Sequence, residues 1–157
     1  MTPSAGPAPD RKALLDIYRQ TLVARRNEYT GELESLDEAA AAETKSSAGD
    51  KYETAREMIA QSRNLIGHNL AEAKANLAVL DRMAEAPLGD RIGFGTLVET
   101  SLGWYLVGVS LGEVTCDGIL VRSMSMISPL ALALKGRGEG ESVTWRGSIL
   151  DILRIPR

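Results

Sequence analysis

Leucine or tyrosine recurs at strict seven-residue spacing at Leu15, Leu22, Tyr29 and Leu36, and the same spacing returns at Tyr52, Ile59, Ile66, Ala73 and Leu80. An α-helix turns every 3.6 residues, so a sustained period of seven keeps one narrow apolar stripe on one side. That is a coiled-coil seam rather than the broad face of a globular helix. Tyr18 fills an intermediate seam position in the first series, and Leu70, Leu77 and Ala84 lie four residues further on in the second. Between the two series stands Lys45-Ser46-Ser47-Ala48-Gly49-Asp50-Lys51-Tyr52-Glu53. Gly49 tolerates a left-handed turn, Asp50 is a preferred N-cap, and Glu53 falls at N3, where its carboxylate reaches back to the cap. Helices joined by so short a connection are antiparallel neighbours. Residues 10 to 86 are therefore expected to form an antiparallel coiled-coil hairpin, each arm about 50 Å long at 1.5 Å per residue, with its tip near residues 45 to 50.

Several residues bound or weaken these helices. Asp10, behind Pro9, is a suitable N-cap for the first, and Gly31 weakens it by about 1 kcal/mol relative to alanine. The second is expected from Lys51 to about Glu85, interrupted at Gly67, His68 and Asn69 and stopped by Pro87 and Gly89. Residues 1 to 9, rich in proline and small side chains, are expected to be a disordered tail.

After Pro87-Leu88-Gly89-Asp90 the pattern changes, which marks a domain boundary and a second domain over residues 90 to 157. Phe94 to Glu99, Trp104 to Val109, Ile119 to Val121, Val143 to Trp145 and Ile149 to Ile155 are short runs rich in β-branched or aromatic residues between glycine-bearing turns. Ser128-Pro129 opening an alternation of leucine and alanine that ends at Gly136 reads as a short helix with Ser at N-cap and Pro at N1. An α+β fold follows, in which an antiparallel sheet buries one face against that helix.

A net charge of −3 at pH 7 gives no support for nucleic-acid binding by bulk electrostatics. The single cysteine, Cys116, excludes an internal disulfide and a cysteine metal cluster, and is expected to be a small buried hydrophobe. His68 lacks a second histidine or cysteine with which to share a metal and is expected at the surface. No apolar run approaches the roughly 20 residues of a membrane span. A cytoplasmic protein without a membrane partner is expected. Gly136-Arg137-Gly138-Glu139-Gly140 does not lead from a strand into a helix and is expected to be a turn rather than a phosphate site. The second domain's few aromatics argue against an aromatic-lined pocket for prolyl isomerisation, and no small-molecule substrate is expected.

Behind the tip motif Gly49-Asp50-Lys51-Tyr52-Glu53 follow Phe94-Gly95-Thr96-Leu97-Val98, Tyr105-Leu106-Val107-Gly108, the segment Ile127-Ser128-Pro129-Leu130-Ala131-Leu132-Ala133-Leu134-Lys135-Gly136, and the closing Ile152-Leu153-Arg154-Ile155. In these the chain resembles the Gre family of bacterial transcript-cleavage factors, over nearly all of its length outside the tail. The resemblance implies a helical hairpin followed by a small FKBP-like domain. It also implies a transcription elongation factor that enters the RNA polymerase secondary channel and stimulates cleavage of backtracked RNA. Asp50 and Glu53 would then be the catalytic and metal-ligating pair, completing a Mg²⁺ site only inside the polymerase active centre. Ser128, Pro129 and Leu130 would contact the polymerase. The family usually has Asn after the tip glutamate and Gly-Asp in the last turn, where this chain has Thr54 and Gly140-Glu141.

Two-metal hydrolysis of a phosphodiester needs one ion to activate water and one to stabilise the leaving oxygen. Mg²⁺ takes oxygen ligands and keeps several waters, so two carboxylates offered from outside can complete a weakly held ion's shell but cannot hold a dedicated one. The chain would thus be an accessory factor and not itself the nuclease. Asp-x-x-Glu at a helix start is equally a capping box, and both roles can hold at once. Lys12, Arg19 and Arg26, seven apart, form a basic stripe that either touches nascent RNA or polymerase acids or is a solvated face. The alternative function is a non-catalytic polymerase-binding regulator or a coiled-coil interaction module.

Overall fold

Two long helices come first in the computed structural model, which describes residues 2–43 and 49–157, with side-chain surroundings given outside residues 43–52. Helix α1 spans Arg11–Glu43 and α2 spans Gly49–Glu85. The α1 start is the one expected: the Asp10 carboxylate accepts the Lys12 amide at 3.1 Å, and the Asp10 carbonyl accepts the Leu14 amide at 2.9 Å. Helix α2 departs from expectation at two places. It begins at Gly49 rather than Lys51, so Asp50 falls at the second helical position rather than at the N-cap position, and Glu53 is no longer at N3. It also runs unbroken through Gly67-His68-Asn69, because residues of modest propensity cost at most about 1 kcal/mol each in a helix held by its packed face.

The chain divides into two compact units, Gln20–Leu77 on one side and Met1–Arg19 with Ala78–Arg157 on the other. The division falls inside both helices rather than at the expected Pro87-Leu88-Gly89-Asp90. In Gln20–Leu77 the helices run antiparallel. Leu22, Arg25 and Tyr29 of α1 share a small cleft with Asn69, Glu72, Ala73 and Asn76 of α2, and Asp37 pairs with Arg63 at 3.1 Å. Leu22, Ala73 and Leu77 are buried, while Tyr29, Leu36, Ile59, Ile66 and Leu70 are half-buried, as a seam with one partner helix allows.

The other unit holds a six-stranded sheet: β1 Leu97–Thr100, β2 Gly103–Gly108, β3 Glu113–Cys116, β4 Ile119–Ser125, β5 Ser142–Trp145 and β6 Ser148–Arg154, with α3 Pro129–Leu134 between β4 and β5. Spatial order is β3-β4-β2-β1-β6-β5. The sheet is mixed, correcting the expected antiparallel one, because β2 and β4 pair in parallel from Trp104 opposite Val121 to Gly108 opposite Ser125. Strand β3, absent from the expectation, is the cause. The chain reverses once from β2 to β3 and again at Asp117-Gly118, where both φ angles are positive as in a tight hairpin turn, so β4 regains the direction of β2.

Every residue of β1 is buried, because the sheet is covered on both faces. On one face Val98, Tyr105, Val107, Met124 and Ile152 form a cluster with Ala131 and Leu134 of α3. On the other, Tyr18 donates its hydroxyl to the Gly112 carbonyl at 2.9 Å, and Leu14, Leu80 and Met83 are fully buried. Ala84, assigned to the seam by spacing, is exposed and its neighbour Met83 takes the buried place. There Met83 meets Gly108 so closely that a Cβ on Gly108 would overlap the thioether. Arg11 donates to the carbonyls of Gly95, at 2.9 Å, and Met83. Gly95 has φ +85°, and a Cβ there would meet Ala86 Cβ at 3.2 Å and the Met83 carbonyl at 3.3 Å. Gly95→Ala is expected to destabilise the fold by about 1–3 kcal/mol from backbone strain alone, read from urea unfolding.

Residues 2–9 are not the free tail expected. The Ser4 amide donates to Glu99 Oε1 at 2.8 Å, and Arg154 donates to the Gly6 carbonyl at 3.0 Å and Ser4 Oγ at 3.1 Å. Glu99 is 3% exposed and accepts Arg154 Nε at 2.6 Å. Burial pushes this carboxyl up, but the hydrogen bonds from Ser4 and Arg154 outweigh it and hold the pKa below its ordinary 4.5. On acidification the unfolded chain therefore takes up this proton first. The stability Glu99 contributes is present above the ordinary carboxylate pKa and is lost as pH falls through the lower folded value. Urea midpoints of the wild type and Glu99→Gln, compared from roughly pH 6 down to pH 3, are expected to converge at the acid end.

Candidate functional site

The tip calls for acids beside the turn between α1 and α2. Glu53 is exposed in the first turns of α2 and Asp50 precedes it on the same helix. Residues 44–48, where the tip was expected, and the Asp50 side chain lie outside the described residues. Acidic residues near a helix N-terminus are favoured by the peptide dipoles by about 0.3–1 kcal/mol each, so this helix start accepts carboxylates without needing the capping box. Two carboxylates are hard oxygen donors suited to Mg²⁺, but among the described residues no group of three or more His, Cys, Asp or Glu gathers to hold a metal.

A second feature is built around α3. Ser128 caps the helix, donating its hydroxyl to the Ser125 carbonyl at 2.9 Å and accepting the Ala131 amide at 3.3 Å. Its Oγ is thus spent on the fold, whereas Pro129 is exposed and Leu130 half-buried. Ser128, Pro129 and Leu130 border a groove of about 310 Å³ whose other walls are Leu102, Tyr105, Met124, Trp145 and Arg146. An adjoining hollow of about 290 Å³ adds Ile149 and Leu150. Leu102 is 52% and Ile149 73% exposed, so the apolar surface continues beyond the groove. Neither hollow has an acidic lining residue, and the Arg146 guanidinium lies 5.2 Å from the Trp145 ring centre. An apolar groove with one cationic rim suits a protein partner presenting apolar side chains beside an acid.

Leu102, Trp145, Arg146 and Ile149 were not legible as site residues, because two segments remote in sequence converge only through the β1–β2 and β5–β6 turns. The one available signal is the adjacent Ile149-Leu150 pair, which on an alternating strand must send one side chain to solvent. Sparse aromatics predicted no aromatic-lined pocket, yet Tyr105 and Trp145 meet in this one.

The three basic residues of the α1 stripe stand in different surroundings. Lys12 is exposed, Arg19 pairs with Asp81 at 2.5 Å, and Arg26 is half-buried. His68 is exposed. Cys116 is buried, and burial followed by the charges of Asp117 and Asp10 pushes its thiol pKa up, away from the reactive thiolate. No described helix is long and apolar enough to cross a membrane. Comparison with protein-family models, curated proteins and solved structures finds no match for this chain.

Proposed function

We propose that this chain is a transcription elongation factor that places its helical hairpin in the RNA polymerase secondary channel and stimulates the polymerase's own cleavage of backtracked RNA. The observation that carries this is an exposed Glu53, three residues after Asp50, in the opening turns of a 37-residue helix paired antiparallel with a 33-residue one. Paired carboxylates at the turn of so long a hairpin are suited to reaching a recessed site on another macromolecule. The order of signatures in the second domain, including the Ser128-capped and Pro129-led α3, supports the same family and an FKBP-like identity for the sheet.

Asp50 and Glu53 supply oxygen ligands and negative charge at the tip. Mg²⁺ bound by them together with polymerase ligands would supply activation of water and stabilisation of the leaving oxygen. The groove at Pro129, Leu130 and Trp145 supplies the docking energy that holds the factor on the polymerase surface. Leu102→Glu with Ile149→Glu, both at exposed positions, is expected to weaken polymerase binding about tenfold or more without changing thermal stability, measured by titration of labelled protein. Unchanged affinity would remove the groove from the docking surface. The function itself is tested by cleavage of stalled, backtracked RNA. Polymerase binding without stimulation would assign the chain to the channel-occupying, non-catalytic alternative.

A further inference from the structure

Residues 2–9, Thr-Pro-Ser-Ala-Gly-Pro-Ala-Pro, carry only small side chains, of which Pro9 is buried, and four polar contacts hold the segment to the sheet or fix its partners there. Three are made directly to the segment: Ser4 N–H to Glu99, and Arg154 to the Gly6 carbonyl and to Ser4 Oγ. The fourth is the Arg154–Glu99 pair itself, which fixes both partners. The receiving groups stand on three adjacent strands. Glu99 of β1 is in register with Trp104 of β2 on one side and Arg154 of β6 on the other. The Arg154 guanidinium lies 5.0 Å from the Trp104 ring centre. The acceptor for an N–H, the donor for a carbonyl two residues on, and the aromatic ring that backs that donor are thus all held by the sheet.

The segment behaves as a ligand for these groups. Its main contacts are through the backbone, and its three prolines leave little conformational freedom to lose on binding. Its departure would leave no unpaired charge, because Glu99 keeps Arg154, and Arg154 keeps Glu99 and Trp104. Gly6 sits at φ +104°, so a residue with a Cβ is strained at that point. We infer that Glu99, Arg154 and Trp104 form a binding site for an extended proline- and glycine-rich peptide segment, which residues 2–8 occupy in cis and which the same segment can fill in trans. The inference stands on the sheet unit alone and is independent of the role of the tip.

The test uses the chain lacking residues 2–8 in a Trp145→Phe background, so that Trp104 is the sole tryptophan. The probe is an acetylated peptide of residues 2–9. Saturable change in Trp104 emission is expected for the truncated chain and none for the full chain, whose site is filled. The peptide with alanine in place of Gly6 is expected to bind roughly tenfold more weakly. A folded truncated chain with no saturable response, or equal affinity for both peptides, would overturn the inference. Should truncation prevent folding, amide exchange in the full chain decides. Ser4 N–H is expected to be protected, but far less than Val107 N–H, which is bonded within the sheet to the Thr96 carbonyl. Protection of Ser4 equal to Val107, or none, would contradict an exchangeable segment.

Discussion

The double substitution Asp50→Asn with Glu53→Gln is expected to lower stimulated RNA cleavage by roughly a hundredfold, because even outer-sphere partners of a metal are worth 10- to 100-fold and these would be direct ligands. The amides keep the size of the carboxylates and remove both charges. Losing two favourable charges near the start of α2 costs at most about 0.3–1 kcal/mol each, too little to melt a 37-residue helix. Competition for the polymerase channel should therefore persist while cleavage collapses. Equal stimulation by the double variant and the wild type would take the chemistry away from these residues.

Leu80→Ala is expected to destabilise the fold by about 2–5 kcal/mol, since Leu80 is fully buried where α2 joins the sheet unit. For a chain of this size that corresponds to a fall in Tm of roughly 5–20 °C. Ala84→Ser, four residues further along the same helix, is expected to change stability by no more than about 0.5 kcal/mol because position 84 is exposed. A seam of uniform heptad geometry would make both positions sensitive. Thermal unfolding of the two variants side by side distinguishes a seam that ends at Leu80 from one that continues to Ala84.

The two helices were legible because a period of seven is a long-range pattern that local chemistry rarely disturbs, and Asp10 announced the first cap. Helix α3 was equally plain, since Ser128, Pro129 and Gly136 each satisfy a separate backbone requirement at a helix end. Strand β3 was not. Glu113-Val114-Thr115-Cys116 lies at a sheet edge, exposed on alternate residues, and so offers neither an apolar run nor a strong alternation. Missing it also hid the parallel β2–β4 pair, because the direction of β4 depends on the reversal that β3 inserts. The division of the chain inside its helices was hidden for another reason. Tyr18 and Leu80 look like ordinary seam residues, and only their burial in the sheet unit shows that the seam serves two different partners. At the candidate site the tip acids could be read directly, as neighbours in sequence. The groove could not, because Leu102 of the β1–β2 turn, Leu130 of α3, and Trp145 and Ile149 of the β5–β6 hairpin come together only in the folded sheet unit.

The most direct measurement is RNA cleavage in a stalled, backtracked complex of the host's own RNA polymerase, with Mg²⁺ present, followed with and without the wild-type chain. Faster release of short 3′ fragments when the chain is added, none when it is incubated with RNA alone, and loss of the effect on Asp50→Asn with Glu53→Gln is the predicted result. Unchanged cleavage kinetics at concentrations where the chain occupies the polymerase would contradict it.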